Sequence, residues 1–161
     1  MNRFLLIVTA ALMLGCAVTW AGSLEEGVAA HQRGEYATAL GSFRSLAAEG
    51  NAAAQFNLGQ MHRLGQGVPR NAVDAARWYH LAAAQGDAQS QYNLGVMYYN
   101  AQGVPRNFVF SHMWLTLSAT SGAENAVRNR TMLARQMTPE QIAEALLLAR
   151  ACKQRDFKDC D

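Results

Sequence analysis

The residue types that could do chemistry are few and scattered. Four histidines, His31, His62, His80 and His112, could ligate a metal or move protons. None shares a spacing such as His-Glu-x-x-His, which places two imidazoles one turn apart on a helix face. A serine nucleophile needs a base beside it, yet both lysines, Lys153 and Lys158, lie in the tail, and Ser-x-x-Lys, Ser-Asp-Asn and Lys-Thr-Gly are absent. Glu140 and Glu144 stand one turn apart at a helix start, where capping and solvation account for them. Paired catalytic carboxylates need a cleft between them, and no such cleft is visible in the sequence. The residues thus point to no catalytic set, no cofactor and no metal.

The cysteines do suggest covalent chemistry. Cys152 and Cys160 form an even pair once Cys16 leaves with an N-terminal signal, and such a pair suits an oxidising compartment. We expect a Cys152–Cys160 disulfide that clips the tail onto the last helix. The signal itself reads as Arg3, an apolar run from Phe4 to Leu14, then small residues around Thr19-Trp20-Ala21, with cleavage after Ala21. That run falls short of the roughly 20 residues a membrane span needs. The second choice keeps Cys16 as a lipid-anchored first residue, because Leu12-Met13-Leu14-Gly15-Cys16 faintly resembles a lipoprotein lipobox. The predicted location is periplasmic or secreted, with no spanning segment after signal removal.

Composition bounds the rest. The chain has 161 residues, half of them apolar, which is enough to bury one core. Its formal charge of +2, which drops by one with Arg3, is far from the basic stripe that nucleic-acid binding requires.

The elements that must position any site come from a repeat. Residues 51–86 align without a gap on residues 87–122 and are identical at 17 of 36 positions. A period of this length signals stacked units, none able to bury its apolar face alone. Within a unit, Ala52–Leu64 reads as helix A, with Leu58, Met61 and His62 on one face. The run Gly65-Gln66-Gly67-Val68-Pro69-Arg70 breaks it, and Asn71 caps helix B, which runs to about Gln85.

Helix B repeats down three copies: Tyr36, Ala72 and Phe108; Phe43, Tyr79 and Leu115; Ala47, Ala83 and Ala119. Gly50, Gly86 and Gly122 close the three helices, where a left-handed residue is needed. Residues 24–50 are therefore a degenerate first unit. A fourth helix pair follows, its last helix opened by the capping box Thr138-Pro139-Glu140-Gln141 and buried along Ile142, Leu146 and Ala149. The expected fold is all-α, a right-handed α/α solenoid of about four helix pairs: signal 1–21, first pair 22–50, repeats 51–86 and 87–122, capping pair and tail 123–161.

The units resemble Sel-one-like repeats, relatives of tetratricopeptide repeats. Residues 88–122 carry Leu94-Gly95, Tyr98, Gly103-Val104 and Ala119. Residues 52–86 carry Leu58-Gly59, Gly65, Gly67-Val68, Ala82-Ala83 and Gly86. Departures are His62 for the usual aromatic, Ala101 for the first loop glycine, and Asn71 and Asn107 for an acidic cap. The tail MTPEQIAEALLLAR looks like the closing helix that often follows these repeats in exported bacterial proteins.

The resemblance implies a protein- or peptide-binding scaffold, not an enzyme, with its groove on the inner face of the A helices. The groove positions would be Phe56, Asn57, Gln60 and Arg63 in one unit and Tyr92, Asn93, Val96 and Tyr99 in the next. Asn57 and Asn93 could pair with an extended peptide backbone, or they could fix a local helix contact. Trp78 and Trp114, and Arg70 and Arg106, should form ladders up the stack, the first for packing and the second on an exposed loop edge. Secreted cysteine-rich relatives are linked with penicillin-type ligands. The alternative function is therefore binding or hydrolysis of cell-wall fragments or β-lactams, and a third is end-to-end stacking as an adaptor.

Overall fold

The computed structural model describes residues 23–157 and Cys160; the expected signal peptide and Cys16 lie outside the described residues. Among the described residues there are eight helices and no strand. They are α1 (Leu24–Gln32), α2 (Tyr36–Ala48), α3 (Ala52–Leu64), α4 (Ala72–Ala83), α5 (Ala88–Asn100), α6 (Phe108–Ala119), α7 (Glu124–Ala134) and α8 (Pro139–Gln154). Consecutive helices pack as pairs, α1 on α2, α3 on α4 and α5 on α6, and the pairs join through α2 with α3 and α4 with α5. The result is a helical solenoid.

Local sequence explains most of these boundaries. Asn51 and Asp87 cap the A helices by accepting from the backbone N–H of Ala54 and Ser90, at 2.9 and 2.7 Å. Asn71 accepts from Val73 and Asp74, and Asn107 from Phe110, so the departures from an acidic cap do the same work. Thr138 and Gln141 form the expected capping box with Pro139 in the first turn of α8. Helix α4 ends at Ala83, two residues before the expected Gln85, and Gly86 follows in the left-handed region at φ +85°.

Gly65 and Ala101 end α3 and α5 in the left-handed conformation, at φ 74° and 55°. Only the second carries a Cβ there, at a cost of roughly 1 kcal/mol. Ala101→Gly is therefore expected to stabilise the protein by about 1 kcal/mol, read as a higher urea midpoint at unchanged m.

The helix B columns pack as expected. Phe43 and Tyr79 are fully buried and Leu115 nearly so, as are Ala47 and Ala83. Between units, Gln55 donates through Nε2 to the Ala47 carbonyl at 3.2 Å, and Gln91 repeats the bond to Ala83 at 3.3 Å. These buried amides tie each A helix to the end of the preceding B helix, adding a second donor to carbonyls that also accept from the Gly50 and Gly86 N–H groups. Their signal in the sequence is glutamine at the same place in both copies, Gln55 and Gln91.

The C-terminal region departs from a simple fourth pair, because α7 and α8 both pack on α6. The buried face of α8 is Ala145, Ala149 and Cys152, and Leu146 is 43% exposed. Of the expected stripe, Ala149 is buried and Ile142 half-buried, but Leu146 faces outward and Ala145 takes its place. Small side chains at 145 and 149 let α8 approach the bulky residues of α6 closely.

Cys152 and Cys160 are bonded as expected. The chain turns back through Asp156 and Phe157, both at positive φ, and Phe157 N–H donates to the Cys152 carbonyl at 2.9 Å. The Phe157 ring lies over Gly86, where an added Cβ would meet it at 3.2 Å, so the tail reaches the α4–α5 turn. Cys160→Ser should cost about 2.5 kcal/mol in the chain-entropy model, measured as a lower melting temperature that matches the reduced wild type.

Candidate functional site

The A helices α3, α5 and α7 carry the candidate groove, and each expected residue can now be placed. Phe56 is half-buried with its ring centroid 6.0 Å from Tyr79. Arg63 donates through Nε to the Tyr79 hydroxyl at 3.2 Å. Burial pushes the Tyr79 pKa up, and the Arg63 hydrogen bond opposes that shift. On α3, then, two of the four residues are engaged with α4. Asn57 donates through Nδ2 to the Ala53 carbonyl of its own helix at 2.8 Å, the local contact. Gln60 is half-buried.

The α5 positions meet α7 instead. Tyr92 accepts from Asn129 Nδ2 at 3.0 Å, and Tyr99 accepts from Gln136 Nε2 at 3.1 Å. Tyr99 also stacks on Phe108 with centroids 5.7 Å apart. Asn93 is half-buried and, unlike that of Asn57, its side-chain amide makes no hydrogen bond among the described residues.

Val96 and Tyr99 form one wall of a cavity of about 240 Å³ between α5 and α7. Leu115 and Leu133 line it, with Met132, Asn129 and Gln136 on the α7 side. The structure thus brings Val96 and Tyr99 together at one pocket. It draws Phe56 and Arg63 onto Tyr79 and leaves Asn57 bonded within α3. The α7 residues were missed because α7 lies outside the two alignable copies.

A second hollow of about 410 Å³ lies between α4 and the loop before α6, lined by Val73, Leu81, Tyr98 and Val104 among others. His62 is packed, with Nδ1 3.9 Å from Asp74. His112 lies buried in α6, where desolvation first and the Arg130 charge second push its pKa down. The expected tryptophan ladder is uneven: Trp114 is fully buried and Trp78 half-buried. Among the described residues no helix is long and apolar enough to cross a membrane.

Stacked helix pairs with side chains differing between units along one helix layer define an α-solenoid repeat fold. The Sel1 repeat family model matches residues 52–87 and 88–122. Its fold is similar to that of a protective antigen present in uropathogenic Escherichia coli strains, at 30% identity and a TM-score of 0.78, covering 85% of this chain and 30% of that one. It is also similar to a Sel1 repeat protein from Oxalobacter formigenes, at 26% identity and a TM-score of 0.68, covering 86% of this chain and 59% of that one. No curated protein matches.

Proposed function

We propose that the protein is an exported, non-enzymatic scaffold that holds a protein or peptide segment along its A-helix layer. The observation that carries this reading is the α5–α7 cavity, walled by Val96 and Tyr99 and bounded by side chains that differ between the two repeats. The shared residues, chiefly the Gly-Val-Pro-Arg-Asn loop, build the stack; the differing ones can select a partner. A periplasmic or extracellular place is supported by the Cys152–Cys160 bond, which persists in oxidising surroundings.

Asn93 is the residue best placed to pair with a bound backbone, because its amide is not engaged elsewhere among the described residues. Crosslinking and pulldown from periplasmic extract should recover a partner with the wild type and at least about tenfold less with Asn57→Ala/Asn93→Ala. Full recovery by that variant would show that the asparagines do not hold the partner. Turnover of nitrocefin by the purified chain would sink the non-enzymatic reading.

A further inference from the structure

The α5–α7 cavity traces to one difference between the repeats. Tyr79 and Leu115 stand 36 residues apart, each over the helix A glycine of its own unit. An added Cβ on Gly59 would meet the Tyr79 ring at 2.7 Å, and one on Gly95 would meet Leu115 Cγ at 2.7 Å. In the first unit the phenol ring extends beneath α3, and its hydroxyl accepts from Arg63. In the second unit leucine stops short. The place of Arg63 is taken by Tyr99, which turns to Gln136 and Phe108. The space that an aromatic side chain fills in one unit is left as a pocket in the next.

Size and polarity fit such an occupant. At about 240 Å³ the cavity is smaller than the sites of roughly 300 Å³ or more that take drug-sized ligands, so a single side chain is the better match. No charged residue lines it, and its walls combine Val96, Leu115 and Leu133 with amides at the rim. Asn129 uses Nδ2 on Tyr92, which leaves its Oδ1 to accept from a phenol or indole donor.

The surroundings carry a charge preference. Met132 at the mouth is 58% exposed, and Arg128 and Arg135 stand on the same helical face, four residues before it and three after. Both arginines are exposed. Helix α5, across the mouth, contains no Asp, Glu, Lys or Arg. Across α3, α5 and α7 the one acid is Glu124, in the first turn of α7. A bound segment with carboxylates beside its anchor would complement these two charges.

We propose that the α5–α7 pocket receives one aromatic side chain of an acidic peptide segment, in the place that Tyr79 occupies within the preceding unit. The proposal rests on the reading of the A-helix layer as the partner-binding face, and it adds what the partner must present there.

The test uses the mature chain and fluorescein-labelled, amide-capped Gly-Asp-Xaa-Glu-Gly peptides with tyrosine, tryptophan, leucine or alanine at Xaa, followed by fluorescence polarisation. The aromatic peptides should bind at least about tenfold tighter than the alanine peptide, as one well-filled anchor provides. Leu115→Tyr rebuilds the side chain of the first unit and should erase that preference. Met132→Glu alters an exposed position, so folding is not at issue, and should weaken every acidic peptide. Equal binding of the four peptides overturns the proposal. So does an undiminished aromatic preference in Leu115→Tyr or unchanged affinity in Met132→Glu. A native partner kept by folded Leu115→Tyr but lost by Asn57→Ala/Asn93→Ala refutes the pocket and leaves the groove reading standing.

Discussion

Trp114→Ala is expected to lower stability by about 4 kcal/mol, enough to bring a marginally stable fold close to unfolding at physiological temperature. Trp114 is the largest fully buried side chain, set in the core cluster shared by α4, α5, α6 and α8, with its ring T-shaped to His80 at 5.9 Å. Its removal takes away apolar burial and leaves a cavity too enclosed to collapse. Among the described residues the indole Nε1 is buried without a hydrogen-bond partner, so Trp114→Phe loses volume but no bond and should cost less than half as much. The equivalent Trp78 is only partly buried, and Trp78→Ala should cost about 1.5 kcal/mol. Urea titration of the three variants by circular dichroism gives the order directly. Equal losses at 78 and 114 would contradict the uneven burial.

Gly103→Ala is expected to cost about 3 kcal/mol and to lower the melting temperature by about 10 °C. Gly103 lies at φ +70°, and a Cβ there would overlap the carbonyl of Ala72, the first residue of α4. Gly67 makes the same approach one unit earlier, over Tyr36 at the start of α2. The loop glycine is thus where one unit's turn rests on the previous unit's B helix. Side-chain flexibility offers no relief against a backbone atom, so either the loop or the stacking must shift. Gly34, at φ +78° with nothing within 4 Å of an added Cβ, supplies the control. Gly34→Ala carries the conformational strain alone, about 1 kcal/mol. Calorimetry of both variants separates strain from contact, and comparable losses would show that Gly103 matters for its φ alone.

The repeat made most of this fold legible. Apolar columns at helical spacing, asparagine caps and closing glycines are local features, and each acts through its own backbone whatever lies further away. The span of α3 was readable to the residue for that reason. The disulfide was readable from cysteine number and separation, because so short a loop leaves little choice of partner. The candidate site was less legible. Val96 and Tyr99 line the pocket, but Phe56 and Arg63 are drawn to Tyr79, and the α7 residues that complete the cavity have no copy to align with.

By itself, then, the sequence determined the repeat unit, its helices, caps and turns, and the disulfide, all properties of short stretches of chain. Only the tertiary structure decided how the C-terminal helices cover the stack. Both α7 and α8 settle on α6, a helix without charged residues that is buried on nearly every side. That covering buries Trp114 while its equivalent Trp78 stays half-exposed, turns Leu146 outward, and sets α7 opposite α5 so that the Tyr79-to-Leu115 difference becomes a pocket. Two repeats that align residue for residue acquire different surroundings because α4 meets a further repeat through α5, whereas α6 is covered by α7 and α8.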